Sequence, residues 1–170
     1  MARKPRVAVL MGSDSDWPTM EKCVDQLAEL GLDAAVEVMS AHRTPERVHG
    51  FARSAEESGF DVLIAAAGLA AGLAGTVAAN TVLPVIGVPI ASGSLQGVDA
   101  LLSTVQMPPG VPVATVGIGE AGARNAALLA AQIIGRKDPA LAAAVLRFKE
   151  TLAEGVHTKN QALQAKLGTR

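Results

Sequence analysis

The sequence predicts an α/β domain of three layers: a central parallel β-sheet with helices on both faces. Three observations point to it. Short aliphatic runs recur along the 170-residue chain, at Arg6–Met11, Ala34–Met39, Val62–Ala66, Val85–Val88 and Val113–Val116. Helical patterns lie between most of them. The third and fourth runs are apolar throughout, as strands covered on both faces must be.

Each element has a local reason. Arg6–Met11 is rich in β-branched and aliphatic residues and stops at Gly12. Met20, Cys23, Val24, Leu27 and Leu30 recur at helical spacing, and Gly31 closes that helix. Ala34–Met39 is the second strand. Glu46–Ser58 carries Val48, Phe51 and Ala52 on one face, with Thr44 suited to the N-cap, Pro45 to the first helical position and Gly59 at the end. Val62–Ala66 is a buried strand. The alanine- and glycine-rich stretch Leu69–Asn80 reads as a helix. Val85–Val88 and Val113–Val116 complete the sheet, and Ala123–Ile134 is a helix stopped by Gly135. Residues 138–167 form a mostly helical tail with no sheet left to cover, placed either on a neighbouring subunit or on its own domain. The whole chain, 1–170, reads as one domain, with its core at about 6–135.

Composition narrows the function. The net charge of −1 and the absence of like-charge blocks argue against nucleic acid or anionic lipid as partner. Cys23 is the only cysteine and fits a buried small hydrophobe, and the three histidines show no metal-ligand spacing, so no metal is expected. The basic start before Val7–Met11 is followed by too short an apolar run for a signal peptide, and a cytoplasmic protein is expected. Between Val62 and Gly119 the only charged side chain is Asp99. Prolines and glycines break this run into pieces too short to cross a membrane. So little polar cover in the middle third predicts a homo-oligomer.

Right-handed crossovers bring the C-terminal ends of all parallel strands to one edge, where ligands bind. Two polar turns reach that edge. Gly12-Ser13-Asp14-Ser15-Asp16 follows the first strand and offers hydroxyls, a carboxylate and helix N-terminal N–H groups. Asp16 would suit ribose hydroxyls. Helix capping is the plainer reading of that turn, but capping needs one such residue, not four. Ser40-Ala41-His42-Arg43-Thr44-Pro45 follows the second strand, with an imidazole and a guanidinium at a helix start. Arg43 and the N–H groups favour an anion, and a histidine beside a bound anion is suited to proton transfer near neutral pH. The small-residue stretch Gly68–Gly75 allows close approach of a ligand or another backbone. Gly117-Ile-Gly119-Glu-Ala-Gly122 matches a dinucleotide fingerprint, but no βαβ unit follows to complete it, so no nicotinamide or flavin is expected. His49 and His157 read as surface helical histidines. No G-x-S-x-G nucleophile elbow is present.

Gly12-Ser-Asp-Ser-Asp-Trp17, Ser40-Ala-His-Arg-Thr-Pro45, Leu83-Pro-Val-Ile-Gly-Val-Pro89, Val105-Gln-Met-Pro108 and Asn125–Gln132 stand together in one order and spacing. In these motifs the chain resembles the class I 5-(carboxyamino)imidazole ribonucleotide mutases, the PurE family of purine biosynthesis, from about Arg6 to Gly135. The resemblance implies a flavodoxin-like fold, a homo-octamer in which C-terminal helices embrace neighbours, and conversion of N5-carboxyaminoimidazole ribonucleotide to 4-carboxy-5-aminoimidazole ribonucleotide without metal, ATP or organic cofactor. Carried over by position, Ser13, Asp16, Ser40 and Arg43 would bind the ribose phosphate. Gly12 and Ser15 would line the same turn, and His42 would be the general acid/base. Gly68, Leu69 and Leu73 would border the base and carboxylate. The family's third loop reads Gly-Gly-Ala-Ala-His-Leu-Pro-Gly; here Gly72 replaces its histidine and Ala74 its proline. Two other readings stay open: a carboxylase using free carbon dioxide, against which Arg43 stands because the class II enzymes carry lysine there, and a weakened paralogue that senses a nucleotide.

Overall fold

A computed structural model describes residues 6–168; the basic lead-in at 1–5 lies outside the described residues. Five strands, β1 (Val7–Met11), β2 (Ala34–Val38), β3 (Val62–Gly68), β4 (Val85–Ile90) and β5 (Ala114–Thr115), form one all-parallel sheet in the order β2-β1-β3-β4-β5. The helices are α1 (Trp17–Glu29), α2 (Pro45–Ser54), α3 (Leu73–Ala78), α4 (Val98–Val105), α5 (Gly119–Gly135) and α6 (Pro139–Gly168). This is the three-layer α/β architecture expected.

Alternation along the central strands divides the core in two. Val7, Val9, Met11, Ile64 and Val88 face one way and pack on α1 and α5. Ala8, Leu10, Leu63 and Ala65 face the other way, against Val48 and Ala52 of α2 and Leu73 and Val77 of α3. Every residue of β1 is buried, so this strand is the spine of the sheet.

The strand order reverses beside β1. The chain moves from β1 outward to β2, then returns to place β3 on the other side of β1. Register aligns Met11 with Val38 and with Ala66, and Gly68 with Ile90, so the four strands end along one edge. The turns after β1 and β3 diverge there and leave a crevice between them.

Two expectations change. The helix expected over Leu69–Asn80 begins only at Leu73, and residues 69–72 form a loop. Leu69 takes the left-handed φ of +56°, which no helix accommodates. Helix α4 was not expected at all. It lies close against β4 because Gly87 has no Cβ: one there would collide with Thr104. α2 also ends earlier than expected, at Ser54.

The tail splits the two alternatives. Leu141 and Val145 of α6 are buried in the α1–α5 layer, while from Lys149 onward the helix stands exposed. Its start is tied down by Arg6, whose guanidinium donates to Asp61 at 2.6 Å and to Asp138 at 3.0 Å. Asp138 in turn accepts from the N–H of Leu141. Among the described residues no helix is long and apolar enough to cross a membrane.

Candidate active site

The turn after β1 is built by its own side chains. Gly12 extends the sheet by one hydrogen bond, its N–H to the carbonyl of Ala66 at 2.9 Å. Ser13, in extended backbone, caps the single 3-10 turn Asp14–Asp16: its hydroxyl accepts from the N–H of Ser15, and Asp16 reaches back to accept from the N–H of Ser13 at 3.1 Å. This reciprocal pair satisfies two N–H groups that a helix start leaves open. Ser15 donates its hydroxyl to Ser13 at 2.8 Å. Capping and site chemistry thus share one turn, and α1 follows with Pro18 in its first turn.

Asp16 is 7% exposed. Burial pushes its carboxyl above the ordinary 3.8, and the charge of Asp14 pushes the same way. The N–H of Ser13 and the charge of Arg43 oppose that shift.

In the second turn Thr44 stands at the N-cap of α2 but makes no capping bond. Its hydroxyl is used one turn earlier, accepting from the N–H of Ser40 at 2.9 Å and donating to the Ser40 carbonyl at 3.1 Å. The N–H of Arg43 donates to the Ser40 hydroxyl at 3.2 Å. The Arg43 guanidinium donates to the carbonyl of Gly12 at 3.1 Å and so joins the two turns. Only one of its five donors is used by that bond, and the side chain is otherwise exposed.

The third wall is the loop that replaces the expected start of helix α3. Gly68 ends β3, Leu69 turns outward, and Gly72 leads into α3. A Cβ on Gly72 would stand 3.4 Å from Nε2 of His42, so the imidazole reaches from the second turn to the third.

These three walls enclose a cavity of about 530 Å³. Gly12, Ser13, Ser15, Asp16, Ser40, His42, Arg43, Gly68, Leu69, Gly72 and Leu73 all line it. A smaller cavity of about 310 Å³ shares Gly12, Ser13, Ser40 and Arg43 on the β2 side. One flank therefore offers hydroxyls and a guanidinium for an anion, and the other offers an imidazole over small apolar residues.

Ser92 also lines the larger cavity and was missed. It lies two residues beyond the all-buried strand β4, at the same sheet edge as the other turns. A polar residue just past a fully apolar strand was the available signal. Ala41, Ala67 and Ala70 complete the wall without a side-chain functional group, so no search for chemistry would find them.

The other candidates lie elsewhere. His49 is on α2 and His157 on the exposed part of α6, and neither lines the cavity. Gly117 precedes α5, and Gly119 and Gly122 lie in its first turn: a Cβ on Gly122 would collide with the Gly117 carbonyl. Burial pushes the Cys23 thiol up to about 12, which leaves it inert. Among the described residues no cluster of three or more His, Cys, Asp or Glu side chains could hold a metal ion.

A family model described as AIR carboxylase matches residues 6–155, which include every residue of the cavity. The N5-carboxyaminoimidazole ribonucleotide mutase of Mycobacterium tuberculosis is 54% identical over 165 residues, covering 97% of this chain and 94% of that protein. The enzyme of the same name from Escherichia coli K12 is 56% identical over 136 residues, covering 80% of each chain. Among solved structures, Treponema denticola PurE superposes with a TM-score of 0.83 at 33% identity, covering 94% of this chain and 98% of that one. On sequence and fold together, the chain belongs to the AIR carboxylase (PurE) family.

Proposed function

We propose that the chain is an N5-carboxyaminoimidazole ribonucleotide mutase acting in purine biosynthesis. The observation that carries this reading is the two-sided cavity at the strand-order reversal, with an anion-friendly flank at Ser13, Ser15, Ser40 and Arg43 and the His42 imidazole opposite. The names of relatives more than half identical along nearly the whole chain support it.

In this reading the phosphate of the ribonucleotide is held by Arg43 and the hydroxyls of Ser13 and Ser40, and Asp16 takes the ribose. Binding energy spent there positions the distant reacting end. The carbamate N–C bond breaks, its electron pair stays on nitrogen, and His42 delivers a proton to that nitrogen as carbon dioxide forms. Ring carbon four then attacks the trapped carbon dioxide. The imidazole, now neutral, removes the proton from that carbon and restores the aromatic ring. Proton donor and acceptor are thus one group used twice, and no net proton is consumed. Gly68, Leu69 and Leu73 border the space in which carbon dioxide must be retained, and water must be kept out of it.

The same reading includes assembly as a homo-octamer. Val98, Leu102 and Val105 on α4 and Leu152, Val156 and Leu163 on α6 are large apolar side chains exposed on a single chain, as an assembling protein requires.

The test is an assay of purified protein with N5-carboxyaminoimidazole ribonucleotide, without bicarbonate or ATP. Product formation is expected, and His42→Asn is expected to lower kcat by roughly 10²–10⁴-fold with KM little changed. Turnover that survives His42→Asn removes the proton-transfer role. Product only from aminoimidazole ribonucleotide with bicarbonate makes the protein a carboxylase. Nucleotide binding without either turnover makes it a sensor.

A further inference from the structure

Among the described residues, the hydroxyl of Ser92 is the buried side-chain polar atom with no hydrogen-bond partner. A buried hydroxyl left unpaired destabilises a fold, so its persistence calls for a cause. Its position supplies one. Ser92 lines the cavity, two residues past β4. Its oxygen fills the space where Gly68 would carry a Cβ, so glycine at 68 is what admits it.

The neighbouring backbone carries a second cost. Leu69 holds a left-handed φ of +56°, uncommon for a branched aliphatic residue. Its side chain lies over Gly93, itself at φ +64°, where a Cβ would stand 2.8 Å from Leu69 Cδ2. The loops after β3 and β4 are thus packed face to face, with an unpaired hydroxyl and a strained residue together at the cavity wall.

Strand order fixes which end of a ligand meets this wall. β2 and β4 are three strand positions apart, roughly 14 Å. An anion held at Ser40 and Arg43 lies on the β1–β2 flank and directs the rest of the molecule toward β3 and β4. A serine hydroxyl turns on χ1 alone, and the missing Cβ of Gly68 leaves it room.

We propose that Ser92 is a further substrate-contacting residue, whose hydroxyl donates in the complex to the carboxylate at the end of the ribonucleotide remote from Arg43. The inference rests on the mutase reading above. It assigns Ser92 to the reacting carboxylate and not to the phosphate.

The test is Ser92→Ala, measured beside the wild type in three ways. The thermal midpoint without ligand is expected to be unchanged or higher, because no bond is lost. The kcat/KM for N5-carboxyaminoimidazole ribonucleotide is expected to fall roughly 10- to 100-fold. Affinity for ribose 5-phosphate, by calorimetry, is expected to stay within about twofold. Wild-type turnover with unchanged Ser92→Ala kinetics overturns the inference and leaves the mutase reading standing. A lowered midpoint, or an equal loss of ribose 5-phosphate affinity, also overturns it, since the hydroxyl would then be structural or phosphate-binding. No turnover by the wild type overturns the mutase reading, and the inference with it.

Discussion

A Cβ on Gly72 would lie 3.4 Å from Nε2 of His42, nearer than to Ala41 or the Ala70 carbonyl at 3.9 Å. Any side chain placed at 72 therefore grows beside the one imidazole in the cavity. In the loop pattern that the sequence resemblance implies, this position is usually a histidine. The backbone at Gly72, φ −77° and ψ −10°, lies in the ordinary right-handed region, so a larger residue meets no strain.

Gly72→His is accordingly expected to fold and to raise kcat, by up to roughly 10²-fold if a second proton-transfer group relieves His42. Gly72→Ala is the steric control. It adds only the Cβ at 3.4 Å, close contact, and should leave kcat near the wild-type value. Steady-state kinetics of the two variants separates chemistry from crowding. An unchanged rate in Gly72→His shows that this position does not limit turnover.

Asp16 gives a pH signature. Its carboxyl is raised by burial, so the folded state holds its proton more tightly than the unfolded chain does. The associated stability is fully present below the ordinary 3.8 and is lost as pH rises through the folded value. At neutral pH the carboxylate is ionised and bears the desolvation cost. Asp16→Asn removes that cost and keeps an oxygen to accept from Ser13. Denaturant midpoints should show the variant more stable than wild type at pH 7, with the difference shrinking as pH falls toward 3.8. On the proposed role of Asp16 at the ribose, KM should also rise, since the amide replaces one acceptor oxygen with a donor. A less stable variant at pH 7 would mean that the hydrogen bond from Ser13 outweighs burial.

The glycine triplet at the start of α5 has a purely structural prediction. A Cβ on Gly122 would collide with the carbonyl of Gly117, and a backbone atom cannot swing aside. Gly122→Ala should destabilise by roughly 1–3 kcal/mol or more. At Gly117 a Cβ meets nothing within 4 Å, so Gly117→Ala should stay within about 0.5 kcal/mol of wild type. Thermal unfolding of the two single variants distinguishes this packing role from cofactor binding, which would link the two glycines.

The turn after β1 was legible because Ser13 and Asp16, which cap its 3-10 turn, are the same polar residues that line the cavity, and the turn after β2 because Ser40, His42 and Arg43 stand together just past a strand. The loop at 69–72 was not. Alanine and glycine have the composition of a tightly packed helix, and only the packing of Leu69 over Gly93 and of Ser92 against Gly68 shows why a helix cannot start there. Helix α4 was hidden for the opposite reason. Its small or polar residues Ala100 and Thr104 are buried, while Val98, Leu102 and Val105 face outward. A pattern search that seeks the apolar face toward the core reads such a segment backwards.

That inverted face carries the last prediction. Leu102 is 52% exposed, with no place in either core cluster. Its replacement by glutamate costs the single chain little, within about 0.5 kcal/mol for an exposed site. If α4 is covered by another copy in the proposed octamer, the same change buries a charge without a partner in every such contact. Sedimentation at micromolar concentration should then show the wild type as a large oligomer and Leu102→Glu as smaller species with unchanged far-ultraviolet circular dichroism. A wild type that sediments as a monomer removes the octamer. A variant that assembles normally shifts the contact to the exposed half of α6, where Leu152→Glu is the corresponding change.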